Sequence, residues 1–106
     1  MKSERDKLAD KIMKHARSGL PCIRCGKQDG TVCGRHYNGI RQHQYGKGRG
    51  IKCSPLVVAD FCNECDGDFQ EGSVCKSNPT ARDIYSEEFQ HWTIMSLIRR
   101  QEQGII

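Results

Sequence analysis

Residues 22–65, CIRCGKQDGTVCGRHYNGIRQHQYGKGRGIKCSPLVVADFCNEC, decide how this chain is read. Cys22-x-x-Cys25 opens the segment and Cys62-x-x-Cys65 closes it. Each pair offers two thiolates from one tight turn, and two such turns supply the four soft ligands of a tetrahedral zinc ion. The ion would join points about 36 residues apart and fix the loop between them. Cys22, Cys25, Cys62 and Cys65 are therefore the expected ligands of a structural Zn²⁺. A redox pair or a set of buried thiols is the competing reading. Cys33, Cys53 and Cys75 are left over. One of them could replace a quartet member, but single unpaired cysteines are more often small buried residues.

The rest of the chain gives reasons for a metal. With 106 residues and 36% apolar side chains, one small domain with a thin core is expected. A structural ion would supply the stabilisation that such a core lacks. Seven cysteines could also belong to a secreted disulfide protein. The odd number, the CxxC pairing and the lack of an apolar leader favour metal thiolates in a reducing cytoplasm instead. No stretch approaches the roughly 20 apolar residues of a membrane span, so no membrane partner is expected.

Outside the segment, the pattern is helical. Ser3 followed by Asp6 forms a capping box, and Leu8, Ile12 and Ala16 recur with Ala9 and Met13 beside them, predicting an amphipathic helix over 3–18. Gly19 and Pro21 end it. Its wet face carries Lys7, Lys11, Lys14 and Arg17. Asn78-Pro79 is a helix start, and Thr80 to about Gln103 runs without a breaker, with a kink possible near Ser86. Ile84, Phe89, Trp92, Met95, Leu97 and Ile98 form its expected apolar face. Between the helices, Thr31-Val32-Cys33 and Leu56–Ala59 read as short strands. Residues 38–52 read as irregular because Gly39, Gly46, Gly48 and Gly50 interrupt them. A short helix is expected over 66–72. The expected class is α+β. The single domain, 1–106, divides into an N-terminal helix (1–20), a zinc-knuckle core (21–76) and a long C-terminal helix (78–106).

Charge is segregated along the core. From Gly30 to Ala59 there is no Asp or Glu, while Arg35, Arg41, Lys47, Arg49 and Lys52 lie there with His36 and His43. Asp60, Glu64, Asp66, Asp68 and Glu71 follow directly. A basic, glycine-loosened stretch suits a polyanion such as DNA, and carboxylates beside it could hold a divalent cation against a phosphate. A solvated loop next to a solvated turn has the same charge pattern.

A histidine ending a short strand, then a Gly-rich turn, an apolar segment and a CxxC knuckle, resembles the ββα-metal (HNH) endonucleases. The features that carry it are Cys22-x-x-Cys25-Gly26, His36-Tyr37, Gly46-Lys47-Gly48 with Lys52, Cys62-x-x-Cys65, and Phe89-x-His91-x-Thr93 before Gly104-Ile105. More narrowly, residues 22–106 are similar to small phage and prophage HNH proteins of the YbcO and recombination-enhancement-function (Ref) type.

The resemblance implies a zinc-stabilised ββα-metal domain that hydrolyses DNA phosphodiesters in phage recombination or DNA processing. The implied setting is the cytoplasm of a bacterial host, with single-stranded, duplex or branched DNA as substrate and a recombinase as a possible partner. It implies His36 as the group that activates water, with Asn38 orienting the loop. Arg35, Arg41, Lys47, Arg49 and Lys52 would clamp phosphates, since cations position a nucleic-acid backbone. A catalytic Mg²⁺ or Mn²⁺ would stabilise the pentacovalent charge. Many relatives carry an acidic residue or a second His before the catalytic His, where this chain has Arg35. They typically carry a His ligand after the second knuckle, where it has Asp66. A carboxylate is a good Mg²⁺ or Mn²⁺ ligand, so Asp66 could substitute, and His91 on the final helix could supply an imidazole ligand instead. The alternative is a non-catalytic zinc module that binds nucleic acid or a recombination partner.

Overall fold

The protein is described by a computed structural model over residues 3–37, 42–46, 54–69 and 79–106. The described residues form α1 (Glu4–Ala16), β1 (Cys33–His36), a 3₁₀ turn (Gln42–Tyr45), β2 (Val58–Phe61), α2 (Asn63–Asp68) and α3 (Pro79–Glu102). The class is α+β, as expected: three α-helices around one two-stranded sheet.

Helix ends follow local chemistry. Ser3 accepts a hydrogen bond from the Asp6 backbone N–H at 3.1 Å and starts α1. Cys62 does the same for α2, its sulfur accepting from the Cys65 N–H at 3.5 Å. That cap starts α2 at Asn63, three residues before the expected helix over 66–72.

The strands pair antiparallel, Cys33 opposite Phe61, Gly34 opposite Asp60, Arg35 opposite Ala59 and His36 opposite Val58. Both lie about two residues later than predicted, because a ladder ends where its partner ends. Gly34 lets α1 lie on the sheet. A Cβ there would stand 2.7 Å from both Met13 Sδ and Val58 Cγ1.

The apolar core centres on Phe89 of α3. Its ring lies 5.3 Å from each of Tyr37, Phe61 and Phe69, while Phe61 stacks on Phe69 at 5.2 Å. Cys22, Cys62 and Cys65 border the same cluster.

The inward face of α3 differs from the predicted one. Phe89, Thr93, Ser96 and Arg100 are buried, whereas Ile84 and Ile98 are 58% and 42% exposed. The reason lies on β2. Asp60 is wholly buried there, and α3 turns polar side chains toward it. Ser96 Oγ accepts from the Asp60 N–H at 3.1 Å, Arg99 donates to one carboxylate oxygen at 3.0 Å, and Arg100 to the other at 2.7 Å. A buried carboxylate must be answered by donors, and that need outweighs the burial of two isoleucines.

Among the described residues, no helix is long and apolar enough to cross a membrane.

Candidate metal centre

Two turns converge on one point. In the first, the Gly26 N–H donates to the Cys22 carbonyl at 2.9 Å and the Cys22 N–H to the Lys27 carbonyl at 2.9 Å. Gly26 has φ +79°, a conformation that L side chains rarely adopt. In the second, the start of α2 curls Cys65 back toward Cys62, and the Asp66 N–H donates to the Cys62 carbonyl at 3.0 Å. The β1–β2 ladder brings the turns together, assisted by the Ile23 N–H donating to the Asp60 carbonyl at 2.9 Å.

The ligand atoms of Cys22, Cys25, Cys62 and Cys65 all lie within 4.8 Å of one another. Cys25 Sγ and Cys62 Sγ are 3.7 Å apart. A tetrahedral zinc with sulfur about 2.3 Å away needs neighbouring sulfurs about 3.8 Å apart, so this edge fits the ion. The four sulfurs could hold a metal such as zinc. Three of the cysteines are buried and Cys25 is exposed, so the cluster has one open corner.

The thiols differ in acidity. Burial opposes ionisation of Cys22, but backbone N–H groups of Cys25, Cys62 and Arg24 outweigh it and lower its pKa to about 7. Burial raises that of Cys65, as do the neighbouring sulfurs, while Arg24 pulls it down.

Around the sulfurs, the acidic run is spent on basic residues of the other half. Glu64 accepts from Lys27 at 3.1 Å, Asp66 pairs with Arg35 at 3.2 Å, and Asp68 accepts from Arg24 at 2.6 Å. Asp60 is likewise held by Arg99 and Arg100. Each has a protein cation as partner. Glu71 lies outside the described residues.

Among the described residues, His36, Asp66 and His91 are not gathered into a comparable group. His36 is half-buried on β1, opposite Val58. The ladder continues past it, with the Tyr37 N–H donating to the Val57 carbonyl at 3.1 Å. Successive strand residues face opposite ways, so Arg35, reaching α2, and His36 lie on different faces of the sheet. Arg35 also donates to Asn63 Oδ1 at 2.7 Å. His91 is exposed on α3, its ring edge-on to Trp92 at 4.8 Å. Among the described residues, the sulfur quartet is the one group of three or more metal-capable side chains that gathers. A Mg²⁺ or Mn²⁺ ion needs several oxygen ligands. Of its two candidate ligands, Asp66 is paired with Arg35, and neither Asp66 nor His91 belongs to a group of three or more metal-capable side chains among the described residues. Asn38, Arg41, Lys47, Arg49, Lys52, Cys53 and Cys75 lie outside the described residues.

Sequence reasoning missed Arg24 and Lys27 as neighbours of the sulfurs. Their signal was present: basic residues flank the first knuckle and acidic ones the second.

Comparison with protein-family models, with curated proteins and with solved structures finds no match to this chain. The fold and site define a small α+β chain with a four-cysteine cluster suited to a metal ion.

Proposed function

We propose that this chain is a zinc-stapled endonuclease that hydrolyses DNA phosphodiester bonds, with His36 as general base. The observation that supports the reading is the order β1–β2–α2 built on the sulfur cluster, with His36 on β1 and the basic segment following directly after it. His36 would take a proton from water, the water oxygen would attack phosphorus, and the bond to the leaving oxygen would break. Arg41, Lys47, Arg49 and Lys52 would hold the strand. The test is incubation of zinc-loaded protein with plasmid and single-stranded DNA in Mg²⁺ or Mn²⁺. Cleavage that disappears in His36→Ala, with zinc content and DNA binding kept, supports the proposal. Intact, zinc-bound wild type that cuts nothing in any cation overturns it.

A second reading has its own observation. The Arg35–Asp66 ion pair occupies the carboxylate that a catalytic cation would need. On this reading the chain is a non-catalytic zinc module that binds nucleic acid or a recombination partner. It predicts DNA affinity that falls steeply with salt and no cleavage. Binding that is unchanged at high salt counts against it.

A further inference from the structure

Four thiolates around a divalent ion carry a net charge of about −2, and placing that charge at the edge of an apolar core is costly unless a cation lies close by. Arg24 is placed to be that cation. It lies inside the first knuckle, between Cys22 and Cys25. Its guanidinium carbon stands 4.8 Å from the ring centroid of Phe69, which belongs to the same buried cluster as Cys22, Cys62 and Cys65. Asp68 at 2.6 Å and Glu88 at 3.3 Å hold it in that position. Its side chain is 25% exposed, against 49% for Lys27, whose ammonium is turned to Glu64 and Asp29. A cation packed on a ring at the edge of the core is screened less by salt than one in open water.

We propose that Arg24 is a positioning residue for the metal centre: lying inside the first knuckle and tied to α2 through Asp68, it offsets the charge of the sulfur cluster and so sets how tightly the ion is held. The inference rests on reading the four cysteines as a metal site. Asp68 and Glu88 then act as the brace that aims Arg24, and the pair of knuckles is closed by charge as well as by the ion.

The experiment is zinc competition against a chromophoric chelator for wild type, Arg24→Gln, Arg24→Lys and Asp68→Asn, with Co²⁺ spectra of each as a second readout. Outer-shell partners of metal ligands typically contribute about 10- to 100-fold in affinity. Arg24→Gln should therefore weaken zinc by about tenfold or more and shift the sulfur-to-Co²⁺ charge-transfer band. Arg24→Lys, which keeps the charge, should recover most of the loss. Asp68→Asn removes the 2.6 Å ion pair but leaves the cation, so it should cost much less than Arg24→Gln. Wild-type affinity in Arg24→Gln overturns the proposal while leaving the metal site standing. Equal losses in Arg24→Gln and Asp68→Asn reduce Arg24 to a structural tie and overturn it as well. A wild-type protein that takes up neither Zn²⁺ nor Co²⁺ overturns the metal site, and the role of Arg24 with it.

Discussion

Asp60 on β2 and Arg100 on α3 are both wholly buried and meet at 2.7 Å, with Arg99 on the second carboxylate oxygen. Arg100 also donates to the Val58 carbonyl at 3.0 Å and Arg99 to that of Pro21 at 2.8 Å. The carboxylate thus ties the sheet, the long helix and the chain just before the first knuckle into one unit. Burial lowers the pKa of Arg100, Asp60 opposes that fall, and the neighbouring Arg99 charge adds to it. Removing the acid would leave two guanidinium groups with no counter-charge in a dry place. Asp60→Ala should destabilise the protein by about 3–5 kcal/mol, the usual cost of breaking one side of a buried pair. Urea unfolding of the metal-loaded protein measures it. A loss under about 1 kcal/mol would show that the cluster is not buried in solution.

The close approach of α1 to the sheet gives a second test. Gly34→Ala puts a methyl group against Met13 Sδ and Val58 Cγ1, both at 2.7 Å. Met13 is flexible and can swing away, but Val58 is branched at Cβ and fixed in β2. Overpacking of this kind costs about 1–3 kcal/mol. Gly34→Ala should lower the unfolding midpoint, and Val58→Ala combined with it should cost less than the sum of the two single changes. Strict additivity would show that the methyl group does not meet Val58.

The elements that could be read in advance are those whose causes are local. Ser3 with Asp6 sets a helix start within one turn, and the CxxC spacing places two sulfurs on one turn whatever surrounds them. Pro79 opens α3 and the helix closes at Glu102, both within a residue of the prediction. The strands were offset because their ends depend on each other across the sheet. The inner face of α3 was misassigned because hydrophobicity points Ile84 and Ile98 inward, whereas the burial of Asp60, 36 residues before Ser96 in the chain, decides the matter. The same blindness covers the acidic run. Nothing within five residues of Asp66 or Asp68 reveals that Arg35 and Arg24 lie against them.

Removing the metal should open the middle of the chain rather than all of it. The quartet joins Cys22–Cys25 to the start of α2, while α1 and the C-terminal end of α3 keep their own contact, in which His15 and Gln103 are 2.6 Å apart. Chelation should reduce amide-exchange protection at 22–27 and 62–69 most strongly, and readdition of Zn²⁺ should restore it. Cys62→Ala, which removes a wholly buried ligand and the α2 cap together, should cost more than Cys25→Ala at the exposed corner. Equal protection with and without metal would remove the structural role assigned to the ion.

The acidities of the thiols set a pH profile for the metal-free protein. Cys22 ionises at about 7 in the fold, below its ordinary value of 9.0. Its contribution to stability is therefore full above pH 9 and is lost as pH falls through 7. Cys65 has the opposite sign. Burial and the sulfurs of Cys25 and Cys62 raise it above 9.0, so the unfolded chain releases that proton first, and stability declines as pH rises beyond 9. Together they predict metal-free stability that rises from pH 7 and peaks near pH 9. Zinc changes the profile, because the ion replaces the thiol protons, and its uptake at pH 7 should release protons. Urea midpoints across pH 6–10, with and without Zn²⁺, test both halves of the argument. A metal-free midpoint that falls steadily from pH 7 to 9 would show that Cys22 is not ionised by the backbone N–H groups around it.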